Sequence, residues 1–116
     1  MVSLKNNILE KILNEYAVKI NNILGKNLNQ VILYGSYARG DYDNSSDIDV
    51  MILVEDMSDE EISNIRERIS SLAFDISLEN DIIISTIIKN KEHFDRWVEV
   101  VPFYQNVKKE GVLING

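Results

Sequence analysis

The chain has 116 residues, a net charge of −7 and no cysteine. This length fits one domain, residues 1–116, and the 45% hydrophobic content argues against disorder. The lack of cysteine excludes disulfides and thiolate metal sites, and the acidic charge disfavours non-specific nucleic-acid binding while favouring basic protein partners. Residues 1–7 lack the apolar segment of a signal peptide, and no apolar run reaches the roughly 18 residues of a membrane helix, so we expect a cytoplasmic protein.

The first predicted element is a helix over residues 4–24, which is followed by a turn and a strand. Apolar side chains recur every three or four residues, as on the buried face of a helix: Leu4, Ile8, Ile12, Leu13, Tyr16, Ile20, Ile23 and Leu24. Gly25 is a suitable residue to end this helix. The strand is predicted at residues 30–34, where Val31 and Ile32 supply β-branched side chains.

A polar loop over residues 35–46 separates this strand from a second one at residues 47–54. A short helical turn is predicted to begin near Ser36. After Asp49 the second strand is apolar without alternation, which predicts burial of both its faces. The loop therefore connects two consecutive strands of the core.

The second half of the chain predicts a long helix, a third strand and shorter elements. Residues 58–61 have the Ser-x-x-Glu form of a capping box, which opens a helix that runs to about residue 79. An isoleucine-rich strand is predicted at residues 81–88. Three elements complete the chain: a helix capped by Asn90, a helix at residues 103–109, and an edge strand at residues 112–114. This order predicts an α/β (α+β) fold, with a small mixed sheet of three to four strands flanked by helices.

The loop after the first strand carries residues suited to binding phosphate groups. Gly35 lets the backbone turn sharply and approach a ligand closely. Ser36 offers a hydroxyl and backbone N–H groups at the start of a helical turn, and Arg39 adds a positive charge that can reach the same phosphates. These three residues are the candidate nucleotide-binding residues, suited to the end phosphates of a nucleoside triphosphate.

Two carboxylates lie at the start of the second strand. Because strand side chains alternate between faces, Asp47 and Asp49 are predicted to point the same way. Adjacent acids repel each other, and a shared divalent cation such as Mg²⁺ relieves that repulsion. A Gly-Ser turn or an Asp-x-Asp pair alone is common, but together on consecutive strands they predict a metal and triphosphate site. The glycine and distal glutamate of a calcium-binding EF-hand loop are missing.

The run Gly35-Ser36, ten residues, then Asp47-Ile48-Asp49 resembles the signature of the polymerase-beta-type nucleotidyltransferase superfamily. The fuller pattern, Gly-Ser-Tyr-Ala-Arg-Gly followed by Ser-Asp-Ile-Asp, is similar to that of its minimal branch, the MNT proteins. The resemblance implies the nucleotidyltransferase fold, with Gly35 and Ser36 in the phosphate-binding turn. It also implies that Asp47 and Asp49 are metal ligands and catalytic residues for a Mg²⁺-dependent attack on the α-phosphorus of ATP.

The resemblance further implies a partner protein. Minimal members are commonly paired with a small helical HEPN protein, which in toxin–antitoxin pairs is an RNase toxin. The MNT member is the antitoxin and can transfer AMP from ATP to a tyrosine of the toxin. We therefore expect a HEPN-family partner and ATP as the substrate.

One part of the superfamily pattern is not plainly present. Full catalysis in the superfamily uses a third carboxylate on the following strand, where the natural alignment places Ser85. Asp81 is the nearest acid and is the candidate third catalytic residue; on the predicted strand it would share a face with Ser85 but lie roughly 13 Å away. If the third acid is missing, the alternative is a catalytically weak or inactive nucleotide-binding module that regulates its partner by complex formation.

Overall fold

The computed structural model describes residues 7–114, which form five α-helices and four strands. The helices are α1 (Asn7–Leu24), α2 (Ser36–Arg39), α3 (Asp59–Asn80), α4 (Lys91–Trp97) and α5 (Pro102–Glu110), and a 3-10 turn (Gly25–Asn27) follows α1. The strands are β1 (Leu28–Tyr34), β2 (Ile48–Val54), β3 (Ile84–Asn90) and β4 (Val112–Ile114). No helix in the described range is long and apolar enough to cross a membrane.

The four strands form one mixed sheet in the order β3-β2-β1-β4. Strand β1 pairs antiparallel with both β2 and β4, whereas β2 and β3 are parallel and are joined by α3. The predicted α/β class and small mixed sheet are thereby confirmed. Because β1 ends where β2 and β3 begin, the ends of these three strands meet at one edge of the sheet. That edge carries the loop that the sequence singles out.

Helices cover both faces of the sheet, because β2 directs alternate apolar side chains toward two separate cores. On one face, Val50 and Ile52 pack with α1 and α3. On the other face, Met51 and Leu53 pack with α4 and α5. The predicted burial of both faces is confirmed, since the strand is fully buried from Val50 onward. By the same alternation, Asp49 lies on the α4 and α5 side of the sheet.

Most predicted elements lie close to their predicted positions. The first helix is confirmed from residue 7 onward, and predicted residues 4–6 lie outside the described range. Strand β1 begins at Leu28, two residues earlier than predicted, and Asp47 immediately precedes β2 rather than starting it. The two short helices and the terminal edge strand are also confirmed.

The third strand is the element that the prediction misplaces. Strand β3 begins at Ile84, whereas Asp81 ends α3 in the left-handed conformation (φ 52°, ψ 44°). The Ser77 hydroxyl accepts the N–H of Ile84 at 3.1 Å and donates to the carbonyl of Ala73 at 2.6 Å, which ties the start of the strand to the helix. The expected location of Asp81 on the strand, on the face of Ser85, is therefore wrong. The residues between Asp81 and Ile84 form the connecting turn.

The capping box at the start of α3 makes a testable contribution to stability. The Ser58 hydroxyl accepts the backbone N–H of Glu61 at 3.1 Å, and the Glu61 carboxylate accepts the backbone N–H of Ser58 at 3.0 Å. Ser58→Ala removes the first bond, and we expect urea titration to show a free energy of unfolding lower by about 1 kcal/mol. The control Ser71→Ala, at an exposed position within α3, should leave that free energy unchanged or slightly higher. An equal loss in both variants would contradict the capping role.

Tyr16 of α1 contacts β3 within the core. Its buried phenol should make the protein less stable at alkaline pH. Its hydroxyl lies 2.7 Å from Thr86 Oγ1, and burial raises the pKa of Tyr16 to about 12 although the Thr86 hydrogen bond opposes the shift. Because this pKa exceeds the ordinary value of 10.0, the phenol ionises first in the unfolded chain. Its contribution to stability is therefore complete below pH 10 and is lost as pH rises toward 12.

Tyr16→Phe should remove this part of the alkaline loss, on the order of 2 kcal/mol across the window. Urea titrations below and above pH 10 measure it. The control Thr86→Val removes the same hydrogen bond but keeps the phenol, so it should retain the alkaline loss. If Tyr16→Phe and the unaltered protein lose stability in parallel above pH 10, the buried phenol is not the cause.

Candidate active site

The turn at the end of β1 adopts a backbone conformation that favours glycine. Gly35 has φ 77° and ψ −156°, and its carbonyl accepts the N–H groups of Ala38 and Arg39 at 3.1 Å each. Helix α2, which begins at Ser36, confirms the helical turn predicted there. The Ser36 hydroxyl makes no hydrogen bond to any residue from 7 to 114, so it is available to a ligand.

This turn lies directly against one of the two predicted metal-binding carboxylates. Tyr34 is paired with Asp49 across β1 and β2, so the next residue, Gly35, lies beside the Asp49 side chain. A Cβ atom built on Gly35 would be 2.5 Å from Asp49 Oδ2 and 3.4 Å from Asp49 Cγ. A side chain at this position would force the carboxylate to move, whereas glycine permits the approach. The predicted phosphate-binding turn and the carboxylate are therefore parts of one site.

Asp47 and Asp49 have no ion-pair partner among the described residues. Asp47 is exposed, whereas Asp49 is partly buried. Burial raises the pKa of Asp49, the negative charge of Asp47 raises it further, and the charge of Arg39 lowers it. The protein thus leaves the repulsion between the two carboxylates only partly balanced.

Asp47 and Asp49 are of the ligand type that suits a Mg²⁺ ion shared with phosphate groups. Mg²⁺ commonly takes one or two carboxylates and completes its octahedron with phosphate oxygens and water. Within residues 7–114 no group of three or more His, Cys, Asp or Glu side chains could hold a metal ion. A metal ion at Asp47 and Asp49 would therefore depend on oxygens from a bound nucleotide and from water.

The strand position beside Asp49 belongs to Ser85. The two residues are paired in the parallel register of β2 and β3, and side chains paired in this way point to the same face. Asp81 lies instead in the turn after α3, where it and Asp47 both line a groove of about 920 Å³. A serine therefore stands where a third strand carboxylate is expected. The role of Asp81 as a third catalytic residue stays a prediction.

Arg39 is engaged by two carboxylates on the same side of the site. Its Nε lies 3.1 Å from Asp41 Oδ2, and its Nη1 lies 3.2 Å from Oε1 of Glu110 at the end of α5. These contacts raise the pKa of Arg39, chiefly through the hydrogen bond to Asp41. Because exposed ion pairs contribute little to stability, Arg39 can exchange them for a phosphate group at little cost.

The rest of the loop is organised by its own side chains. The Asp43 carboxylate accepts the N–H and the hydroxyl of Ser45 at 2.8 and 2.7 Å, and these bonds lower the pKa of Asp43. The rings of Tyr37 and Tyr42 stack at a centroid distance of 4.2 Å with an interplanar angle of 15°. These contacts fix the loop that leads to Asp47.

Tyr34 is a site residue that the sequence analysis missed. It is paired with Asp49 across the strands, and its ring contacts Phe103 of α5 edge-on at a centroid distance of 5.5 Å. Burial raises the pKa of Tyr34 to about 12, and the negative charge of Asp49 adds to the shift. The phenol therefore stays protonated at neutral pH. The pairing of β1 with β2 brings Tyr34 to the site. That pairing could not be predicted from the sequence, because a long loop joins the two strands.

Comparison with known protein families and curated proteins gives consistent matches. The sequence pattern of the nucleotidyltransferase domain matches residues 13–114. Two proteins of Methanocaldococcus jannaschii carry the provisional name protein adenylyltransferase. MJ0141 is 42% identical over 94 residues, which are 81% of this chain and 92% of that protein. MJ0604 is 30% identical over 105 residues, which are 90% of this chain and 96% of that protein.

Solved structures share the fold. A provisionally named nucleotidyltransferase from Sulfolobus solfataricus superimposes with a TM-score of 0.62 at 23% identity, covering 91% of this chain and 78% of that chain. A toxin–antitoxin structure with AMP-PNP and a mutant MntA–HpeT toxin–antitoxin structure each give a TM-score of 0.55 at 19% identity. They cover 89% of this chain and 73% of theirs.

Proposed function

Because this chain belongs to the nucleotidyltransferase domain family, we propose that it transfers AMP from ATP onto a side chain of a partner protein in a Mg²⁺-dependent reaction. Family membership sets the class of activity, the transfer of a nucleotidyl group. The nucleotide, the metal and the acceptor are the proposed part, and each is supported by residues of the site or by relatives.

The observation that carries the proposal is the close approach of Gly35 to the Asp49 carboxylate. The 2.5 Å that separates a Cβ built on Gly35 from Asp49 Oδ2 means that a phosphate group at the turn would also be beside the acid. Such a group and a carboxylate repel each other unless a cation lies between them. A Mg²⁺–triphosphate complex can bind both the turn at Gly35, through its phosphates, and the Asp49 carboxylate, through its metal ion. A free phosphate could bind the turn only.

Asp47 and Asp49 would hold the metal ion. When bound, Mg²⁺ neutralises charge on the phosphates and lowers the pKa of a hydroxyl beside it. The protein itself positions the nucleotide: the backbone at Gly35 and the Ser36 hydroxyl bind phosphate oxygens, and Arg39 leaves its exposed carboxylate partners to add positive charge. Positioning and charge stabilisation account for most of the catalysis in phosphoryl-group chemistry of this kind.

The reaction is an in-line substitution at the α-phosphorus. The acceptor hydroxyl oxygen forms a bond to that phosphorus while the bond to the β-phosphate oxygen breaks. Pyrophosphate leaves with the electron pair of the broken bond, and the proton of the acceptor passes to water. Asp49 is the acid closest to the turn, so it is the residue on which the rate should depend most.

The proposed acceptor is a protein, and a HEPN-type toxin is the proposed partner. The provisional names of both M. jannaschii relatives describe transfer to protein. Two structural neighbours are toxin–antitoxin structures, and one of them contains AMP-PNP, an ATP analogue. The resemblance of residues 35–49 to MNT antitoxins points to the same kind of partner.

A labelling experiment tests the proposal. The protein is incubated with Mg²⁺, a purified HEPN-family partner and ATP that carries the label on either the α- or the γ-phosphate. We expect the partner to gain label from α-labelled ATP only, and to gain none when EDTA removes the metal. Label from the γ-phosphate would contradict nucleotidyl transfer.

A second function, regulation of a partner by complex formation with weak or no transfer, is favoured by the serine beside Asp49. Ser85→Asp places a carboxylate at that position, and Ser85→Asn is the matched neutral control. If a missing acid limits the reaction, we expect the labelling rate to rise in the aspartate variant alone. A stable complex that gives no label with any of the three proteins would favour the regulatory function.

A further inference from the structure

A groove on the α1 and α3 side of the sheet has exposed apolar walls. It has a volume of about 920 Å³ and runs along the C-terminal half of α3 to the loop that carries Asp47. Large apolar side chains along it are exposed, including Phe74 by 61%, Leu78 by 67% and Ile83 by 62%. Phe74 and Leu78 are one helical turn apart, so they lie on one face of α3. Exposed apolar side chains grouped in this way mark an interaction surface.

The groove is fixed by hydrogen bonds beneath it. The carbonyl of Ile83 accepts the N–H of Ile48 at 2.8 Å, and the Ser77 hydroxyl accepts the N–H of Ile84 at 3.1 Å. Ile83 is therefore exposed on a backbone that is tied to both β2 and α3. A surface that is already shaped costs little conformational entropy when it binds.

Within residues 7–114, the charged residues that line this groove are acidic. Asp47 and Asp81 line it, and no lysine or arginine of the part of the chain that the structure describes does. On α3, Asp75 and Glu79 are exposed, and each directly follows one of the exposed apolar side chains. None of these four acids forms an ion pair with the residues that the structure describes. A complementary ligand would combine an apolar face with positive charge.

We propose that this groove docks an apolar segment of the acceptor protein that is flanked by lysine or arginine, and that it directs this protein toward Asp47. The acidic border, which we define as Asp47 and Asp81 in the groove with Asp75 and Glu79 on the exposed surface of α3, selects the basic partner. A second copy of this chain would bring a net charge of −7 to an acidic groove and is a poor occupant. The inference rests on the proposed function, because it identifies the occupant as the acceptor of the nucleotidyl group.

The probe for this surface is a labelled helical peptide of leucine, lysine and alanine, with leucine along one face. A peptide with glutamate in place of lysine is its control. By fluorescence anisotropy at physiological salt, we expect the lysine peptide to bind the unaltered protein about tenfold more tightly than Phe74→Ser/Leu78→Ser. The glutamate peptide should bind neither. Val100→Ser, which removes a side chain that is 64% exposed outside the groove, should bind like the unaltered protein.

Charge variants test the acidic border separately. Asp75→Asn/Glu79→Gln should weaken binding of the lysine peptide several-fold, whereas Glu67→Gln, which removes an acid from an earlier turn of α3, should not. All of these side chains are exposed, so thermal melts should be unchanged and should exclude unfolding as the cause.

Measuring the binding of AMP-PNP with Mg²⁺ to the same variants separates failure of the docking proposal from failure of the proposed function. Peptide binding that depends on Phe74 and Leu78 supports docking even if no nucleotide binds, in which case the proposed function alone is contradicted. Equal peptide binding by the unaltered protein and by Phe74→Ser/Leu78→Ser overturns the docking proposal. A dimer of the unaltered protein that the double variant dissociates also overturns it, because the occupant is then a second copy.

Discussion

Asp49→Asn should abolish nucleotidyl transfer and leave the fold intact. Asparagine keeps the shape of the side chain beside Gly35 but removes the negative charge that we assign to Mg²⁺ binding. The charge stabilisation that a metal supplies is worth several kcal/mol, and each 1.36 kcal/mol changes a rate tenfold. We therefore expect the rate of label transfer from α-labelled ATP to fall by roughly 100-fold or more.

The stability of the same variant separates a functional role from a structural one. Burial and the charge of Asp47 raise the pKa of Asp49, which means that the ionised side chain is unfavourable in the folded protein without metal. The melting temperature of Asp49→Asn should therefore be unchanged or slightly raised. Asp56→Asn, just beyond β2 at its other end, is the control, since asparagine tolerates its φ of 57°. A lower melting temperature in Asp49→Asn, or equal loss of activity in both variants, would contradict the assignment.

Gly35→Ala should damage both stability and nucleotide binding. The residue has φ 77° and ψ −156°, a region that residues with a Cβ avoid. In addition, the new methyl group would lie 2.5 Å from Asp49 Oδ2, so the carboxylate would have to move. We expect the free energy of unfolding to fall by about 2–3 kcal/mol in urea titration. Affinity for AMP-PNP with Mg²⁺ should fall about tenfold or more.

Gly25→Ala is the control that separates the effect of a positive φ from the effect of the contact between residue 35 and Asp49. Gly25 also has a positive φ, 54°, but a Cβ built there meets nothing within 4 Å. It should lose only about 1 kcal/mol of stability and should keep nucleotide affinity. If both alanine variants bind AMP-PNP equally well, the approach of Gly35 to Asp49 has no part in the site.

The loop that carries the site could be predicted because its residues are close together in the sequence. Gly35 and Asp49 are separated by one loop, and an apolar run on each side identifies the strands that hold them. The register of β2 with β1 places Gly35 beside Asp49. Asp47 precedes β2 and lines the groove beside α1 and α3, so a common direction for Asp47 and Asp49 stays a prediction. For Gly35 and Asp49, the local pattern and the tertiary structure agree.

The start of β3 could not be predicted in the same way. Ile82 and Ile83 continue the apolar run of the strand, so composition alone extends it back to Asp81. At this boundary the Ser77 hydroxyl accepts the N–H of Ile84, the first residue of β3, and the residues before Ile84 form a turn. A bond between a helix side chain and the strand backbone leaves no periodic signal.

Contacts between distant parts of the chain were also hidden. Arg39 and Glu110 are 71 residues apart in the chain. They meet because α5 packs against the sheet beside β1. The pairing of Ser85 with Asp49 depends on a parallel register that is set across the whole of α3. Such registers follow from packing of the assembled core rather than from any short pattern.

The central claim is that Gly35, Ser36, Asp47 and Asp49 form one site for a metal-bound nucleoside triphosphate. Isothermal titration with AMP-PNP tests it most directly, because it needs no partner protein. We predict binding in the presence of Mg²⁺, loss of binding when EDTA replaces Mg²⁺, and loss of binding in Asp47→Asn and Asp49→Asn. Binding that is equal with and without Mg²⁺, or equal in the unaltered protein and both variants, would contradict the claim.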